Sequence, residues 1–271
     1  MIVHVSPYDT STGLIDEANR LTNITDCSIE RDATDETSLL ESCSVSLDTT
    51  TFNQGWYAID ALADNSRHRL GIFYLKLDEV EQESDGSMVY TLAGVSVLQP
   101  ACNEKVTAGW SVVKGDSGEE AIKKLLASCP VKVDIEPFTV AKTQSYSSNV
   151  TKLGACWSIL RNAGMCIQIG GGDEINDTSI HVIPTPSDNQ AIKTISLKSG
   201  ELTGSVSVSD DEVGYECNIN GRPYDRVYVG LPTFGIQTYL TIASQSIDLS
   251  RGLIADETLK EKPYDDDTNT I

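Results

Sequence analysis

Between Asn149 and Gly172 the sequence NVTKLGACWSILRNAGMCIQIGGG leaves two-residue alternation for a helical period and then returns to it. Val150, Leu153, Trp157 and Leu160 recur at helical spacing, and Ala163 continues their face. Thr151, Lys152, Ser158, Arg161 and Asn162 fall largely on the other side, which predicts an amphipathic helix. Ser148 or Asn149 is placed to cap its start, because either side chain can accept a hydrogen bond from a free backbone N–H. Gly164 is placed to end it, since glycine takes the left-handed conformation without a Cβ penalty. Met165–Ile169 then reads as a short buried strand, and Gly170, Gly171 and Gly172 turn the chain into a second strand at Ile180–Ile183. With alternating, β-rich sequence before and after it, this helix belongs to an insert between two β units.

The first β unit begins with a short apolar strand, Ile2–Val5, followed by a polar, turn-rich stretch from Pro7 to Asn19. In ITDCSIERDATDETSLLESCSVSLD, Cys27 and Ile29 alternate with Ser28 and Glu30. Cys43, Val45 and Leu47 alternate with Ser42, Ser44, Ser46 and Asp48. Two half-buried strands joined by an acidic connector, residues 31–38, are expected. Residues 58–63 read as a helical turn. Leu70–Asp78 and Met88–Leu98 read as strands joined at an Asp85-Gly86 hairpin turn, with Gly94 marking a bulge or a tight corner. Ser117 and Glu120 form a capping box before Ala121, Ile122, Leu125 and Leu126, and Pro130 closes that helix. Val131–Glu136 alternates as a strand. From Ile192 onward, strands are expected at Ile192–Leu197, Gly204–Val208, Val213–Ile219, Arg226–Val229 and Ile236–Ile242, with an Asn220-Gly221 hairpin turn. The predicted fold class is mainly β with an α+β insertion, two small β-barrels flanking the insert. The expected boundaries are 1–100, 101–183 and 184–255, with an acidic tail at 256–271 that carries Asp265, Asp266 and Asp267.

Composition excludes several classes. The net charge of −20 opposes nucleic-acid binding and favours solubility. No apolar run is long enough to span a bilayer, and MIVHVSPYDT lacks the features of a signal peptide, so assembly in a cytoplasm is expected. The seven cysteines, Cys27, Cys43, Cys102, Cys129, Cys156, Cys166 and Cys217, contain no CxxC pair, and His4, His68 and His181 are widely separated. Zinc sites need convergent soft ligands in close-spaced pairs, so these read as buried thiols in a reducing compartment. In GGGDEIND, Asp173 and Glu174 offer oxygen ligands but not the spaced series of a calcium loop. No Lys-Ser/Thr follows the glycines as in a phosphate cradle. There is no GxSxG and no HExxH, and Asp116, Ser117 and His181 compose no triad. Glycosidases pair two carboxylates across a cleft that is usually aromatic-rich, whereas aromatics are only 6% of this chain. Trp157 belongs to the helix's apolar face, whereas Trp56 and Trp110, in loop-like contexts, suit interface packing or core capping. No catalytic, cofactor-binding or metal-ligating residue is assigned, and no cofactor is expected.

In order along the chain, ITDCSIERDATDETSLLESCSVSLD, GIFYLKLDEVEQESDGSMVYTLAGVSVL, GEEAIKKLLASCPVKVDIE and TKLGACWSILRNAGMCIQIGGGDEI followed by IHVIPTP resemble the hub proteins of phage tail tips and baseplates. That family includes the central hub of contractile-tail baseplates, the N-terminal structural region of tail-associated lysins in long-tailed phages, and the N-terminal part of type VI secretion spikes. Each segment has low specificity; the order, over nearly the whole chain, carries the resemblance. It implies two small β-barrels with an α/β insertion and a homotrimeric, pseudo-six-fold ring at the virion tail tip. Such a ring would join the tail tube to a central spike, fibre or tape-measure protein and pass DNA without binding it. An acidic lumen suits that role, and carboxylates are expected to face the channel. The sequence stops shortly after the second β unit, so a hydrolase or spike is expected on another polypeptide, with the acidic end docking on it or solvated. The alternatives are a tail-associated peptidoglycan hydrolase and a host-glycan-binding module centred on Trp56 or Trp110.

Overall fold

The computed structural model describes residues 1–34, 40–48, 52–63, 66–170, 177–186, 191–196, 200, 202–209, 211–219 and 221–262. The first β unit comprises β1 (Ile2–Asp9), β2 (Leu14–Ile15), β3 (Ile24–Asp32), β4 (Leu40–Leu47), β5 (Gly55–Ala63), β6 (Ser66–Gln82) and β7 (Met88–Ser96). The insert holds α1 (Gln99–Asn103), β8 (Ser111–Val112), α2 (Gly118–Leu125), β9 (Val133–Ile135), β10 (Gln144–Ser145), α3 (Lys152–Asn162), β11 (Met165–Ile169) and β12 (Ile180–Pro184). The second β unit comprises β13 (Ala191–Ser196), β14 (Leu202–Val208), β15 (Glu212–Asn218), β16 (Arg226–Leu231), β17 (Ile236–Asp248) and β18 (Ile254–Lys260). The protein is therefore mainly β with a small α-containing insertion.

Alternation puts every second residue of each strand on one face. In the first unit those residues meet in a common core: Val5, Cys27, Ile29, Cys43, Val45, Tyr57, Ile59, Phe73, Leu75 and Leu92, contributed by all six long strands. In the second, Ile195, Val213, Tyr215, Val227, Val229, Ile242 and Leu259 form another core, with Leu202, Val206 and Val208 packed against it. Each sheet thus curls around its own interior as a small barrel. The first runs β3-β4-β7-β6-β5-β1 and the second β14-β15-β18-β17-β16-β13. Numbering the six long strands of each unit in sequence order, both read 2-3-6-5-4-1. The difference lies in the first strand, antiparallel to its neighbour as β1 but parallel as β13. The barrels are joined because β17 pairs with β3, Ser244 opposite Asp32 through Asp248 opposite Ser28.

The insert has its own core around Ile122, Leu125, Leu153, Cys156, Trp157, Leu160, Ile167, Ile180 and Val182. This core also takes in Ala58 and Ile72 from β5 and β6, so the insert seats on the outer side of those strands. Helix α3 begins at Thr151, whose Oγ1 accepts from the Gly154 N–H at 3.0 Å; neither Ser148 nor Asn149 is the cap. Gly164 follows its end with φ +67°. Ser117 caps α2 by accepting from the Glu120 N–H at 3.3 Å, and the helix ends at Leu125, ahead of Pro130.

Four further expectations need correction. Residues 58–63 are strand, not a helical turn, because Tyr57, Ile59 and Ala61 alternate into the first core and pairing with β6 overrides local helix preference. Gly94 is not in a bulge: an added Cβ would lie 2.2 Å from Cys43 Sγ and 2.7 Å from Leu75 Cδ2, so glycine permits close packing inside the barrel. β15 and β16 are not neighbours, so no hairpin joins them; Asn220 itself lies outside the described residues. Residues 256–260 of the expected tail belong to β18, which pairs with both β15 and β17 through Lys260. Asp265, Asp266 and Asp267 lie outside the described residues. The hairpin at Asp85-Gly86 forms, with Gly86 at φ +88°.

Candidate functional site

Eight strands in the order β14-β15-β18-β17-β3-β4-β7-β6 form one unbroken sheet across both barrels. Their inward residues fill the cores, so their outward residues compose one continuous face. On β3 and β4 it carries Asp26, Ser28, Glu30, Asp32, Ser42, Ser44 and Ser46. On β17 and β18 it carries Ser244, Ser246, Asp248, Asp256 and Thr258, and on β14 and β15 Thr203, Ser205, Ser207, Glu212 and Glu216. On β6 and β7 it carries Glu79, Glu81 and Thr91 together with the apolar Val89, Ala93 and Val95. Lys76 and Lys260 are the basic residues among these outward positions. From β14 to β4 the face is thus built mainly from hydroxyls and carboxylates, and β7 adds an apolar stripe beside them. At the seam between the barrels, Ser246 Oγ donates to Glu30 Oε1 at 2.6 Å, which lets the two types alternate without like-charge contact.

The sequence charge is unevenly divided in the same sense. Residues 101–183 hold 9 acidic and 8 basic residues, net −1, leaving 31 acidic and 12 basic, net −19, on the β units and their flanks. The acidity therefore belongs to the barrels. With a screening length of about 8 Å at physiological salt, such a surface repels phosphate only at close range.

Beneath the face, a buried polar network fixes one barrel against the other. Arg31, 1% exposed, donates through Nε to Glu41 at 3.0 Å, through one terminal nitrogen to Gln245 Oε1 at 2.8 Å, and through the other to the Leu70 carbonyl at 2.7 Å. Gln245 Nε2 donates onward to Glu257 Oε1 at 2.7 Å. Glu257 also accepts from Lys193 Nζ at 2.7 Å and from the Tyr215 hydroxyl. Burial, reinforced by Arg222 and opposed by Glu41, pulls the Arg31 guanidinium down to about 10. It remains charged at neutral pH. A buried charge with all three of its nitrogens engaged makes movement of its surroundings costly, so the network holds β3, β4, β17 and β18 in fixed relation. Sequence reading missed it: Glu257 sits in a stretch that reads as solvated tail, and its partner Lys193 is 64 residues away.

The residues considered for chemistry have structural partners. Asp116 accepts from the Val113 N–H at 2.9 Å, and Ser117 caps α2. His181 pairs with Asp177. Asp173 and Glu174 lie outside the described residues. Trp56 packs edge-on against Tyr74 between barrel and insert, Trp110 packs on Tyr146, and Trp157 is buried beside Tyr224. Trp56 lies in β5 and Trp110 in a loop; both are half-buried, each with one ring contact to a tyrosine. Burial pushes the thiols of Cys27, Cys129, Cys166 and Cys217 up to about 12, so they stay protonated and poorly nucleophilic. Among the described residues no cluster of three His, Cys, Asp or Glu side chains could hold a metal ion, and no described helix is long and apolar enough to cross a membrane.

The arrangement of two like-ordered barrels around an insert recurs in known structures. The fold is shared with phage tail proteins. The chain superposes on the tail protein from Neisseria meningitidis MC58 with a TM-score of 0.65 at 14% identity, covering 98% of this chain and 100% of that one. The 43 kDa tail protein of prophage MuSo2 from Shewanella oneidensis gives 0.62 at 10% identity, over 96% and 98%. Prophage tail protein gp18 from Listeria monocytogenes EGD-e gives 0.57 at 7% identity, over 97% and 95%. No family model matches the sequence, and no curated protein matches it.

Proposed function

We propose that the chain is a structural hub subunit of a phage or phage-like tail tip or baseplate. Three copies form a ring of six barrels that joins the tail tube to a central spike, fibre or tape-measure protein and leaves a channel for DNA. The observation that carries this reading is the pairing of two barrels of equal strand order in one sheet with a continuous hydroxyl- and carboxylate-rich face. Two equivalent units per chain let three chains present six similar positions. In this reading the acidic face lines the channel, and the insert, seated on the outer side of β5 and β6, stands away from it.

The physics suits passage rather than capture. Cationic contacts to phosphate release counterions and hold DNA with salt-dependent affinity. A carboxylate wall makes no such contacts, and serine hydroxyls keep it wetted. The Arg31–Glu257 network keeps the two barrels from shearing while the strand moves past.

The test is the mass of the native protein by light scattering at low and moderate salt, followed by imaging of the assembled species. The expected result is three copies around an open channel lined by Glu30, Asp32, Asp248 and Asp256. A neutral or basic lumen would refute the assignment of the face. Clearing of cell-wall material by the purified chain in a zymogram would replace the structural role with a hydrolytic one.

A further inference from the structure

The eight-stranded face begins at β14 and ends at β6, and both ends have open edges. β17 shows how such an edge is used. Its Ile236–Thr241 half pairs with β16. A register shift follows between Ile242 and Ser244, and Ser244–Asp248 then pairs with β3 on the same edge. In the first barrel β6 repeats the plan. Ser66–Leu75 pairs with β5, a register shift follows between Leu77 and Glu79, and Glu79–Gln82 pairs with β7 alone among the described residues. The inward pair before each shift corresponds in register, Ile242 with Leu259 and Leu77 with Leu92.

The burial differs in an informative way. Beyond the shift in the second barrel, Gln245, Ile247 and Ala255 are at most 1% exposed, and Ile247 and Ala255 join the first barrel's core. The corresponding positions in the first barrel are Val80, Gln82 and Met88. Val80 is 43% exposed and Met88 36%, with Leu77 beside them at 50%. This β6–β7 arm has the inward stripe of a barrel wall, and among the described residues no strand pairs with the outer edge of Glu79–Gln82.

The strand in the second barrel that holds the place of β3 is β14. Among the described residues it pairs only with β15. Its sequence, LTGSVSV, contains no charge and no proline, two usual guards of an exposed edge; a register shift against β15 lies between Leu202 and Val206, so the regular part of the edge is Val206–Val208. Its outward side presents Thr203, Ser205 and Ser207, and Ser209 follows. The arm's outward side presents Glu79, Glu81 and Glu83. Serine facing glutamate is the pairing already made at the β17–β3 seam, with the two sides exchanged.

We propose that the β6–β7 arm of one copy pairs antiparallel with the β14 edge of the next, making the acidic face continuous from copy to copy. Both halves of the contact lie on every chain at opposite ends of the sheet, so the association is head-to-tail and can close into a ring. The antiparallel sense follows from β17 on β3. The proposal rests on the ring reading above and names the contact that would make the ring.

Cysteine cross-linking on the full chain tests it. Glu79→Cys, Glu81→Cys and Glu83→Cys are each combined with Ser205→Cys, Ser207→Cys or Ser209→Cys, and the oxidised products are resolved without reductant. Opposed residues of antiparallel strands lie about 4.5–5.5 Å apart, within disulfide reach. Linked dimers and trimers are expected only for combinations on one antiparallel register, and none from the single variants. A second test places Ser205→Glu and Ser207→Glu opposite the arm's carboxylates. Loss of the assembled species is expected, with recovery when Glu79→Lys and Glu81→Lys are added. A three-copy species that neither cross-links nor responds to these charges would overturn the edge pairing and leave the ring standing. A monomer without cross-links at every concentration would overturn both as properties of this chain.

Discussion

Replacing Glu257 tests whether residues 254–260 belong to the barrel. Glu257 is 1% exposed and accepts from Lys193, Gln245 and Tyr215. In Glu257→Leu the Lys193 ammonium, whose side chain is 2% exposed, loses its ion-pair partner. Breaking a buried pair from one side costs about 3–5 kcal/mol. At roughly 2–4 °C per kcal/mol for a chain of this size, that lowers Tm on the order of 10 °C. Adding Lys193→Met removes the other half of the ion pair. The double variant should then recover most of the loss, because an apolar pair of similar volume is often neutral relative to a buried ion pair. Its remaining deficit comes from the hydrogen bonds to Glu257 that the Tyr215 hydroxyl and Gln245 lose, about 1 kcal/mol each; Gln245 still donates to the Gly221 carbonyl at 2.9 Å. Urea unfolding of the native chain, both single variants and the double gives the coupling, expected at about 2 kcal/mol or more. A loss below about 1 kcal/mol for Glu257→Leu would refute the reasoning and return this segment to a solvated tail.

Two further changes have defined outcomes. Gly94→Ala drives a methyl into Cys43 Sγ and Leu75 Cδ2 and should destabilise the first barrel by about 1–3 kcal/mol in chemical denaturation, with partial rescue by Cys43→Ala. Hydrogen bonds from the Ser11 and Thr12 hydroxyls and the Ser11 amide hold the Asp9 carboxyl at about 2, below its ordinary 3.8. A depressed carboxylate stabilises the fold above its unfolded value, so acid titrations of the native chain and Asp9→Ala should differ above pH 4 and converge as pH falls through about 2.

The sequence specified what depends on neighbours a few residues apart. The α3 stripe and its Gly164 stop, the Ser117 cap, the Asp85-Gly86 turn and most strands follow from period and turn chemistry within one window of sequence. Tertiary structure decided the rest. Residues 58–63 became strand because β6 supplied hydrogen bonds and the first core received Ile59 and Ala61. β18 looked polar because its inward series, Ala255, Glu257, Leu259, has a carboxylate at its centre; that position is tolerable only where Lys193 and Gln245 arrive from distant strands. The shared strand order of the barrels and the face made by joining β17 to β3 are likewise relations between segments far apart in sequence. Alternation marks which side of a strand is wet, but only strand pairing determines which wet sides lie together, because that choice is made by hydrogen bonds and cores that local sequence does not contain.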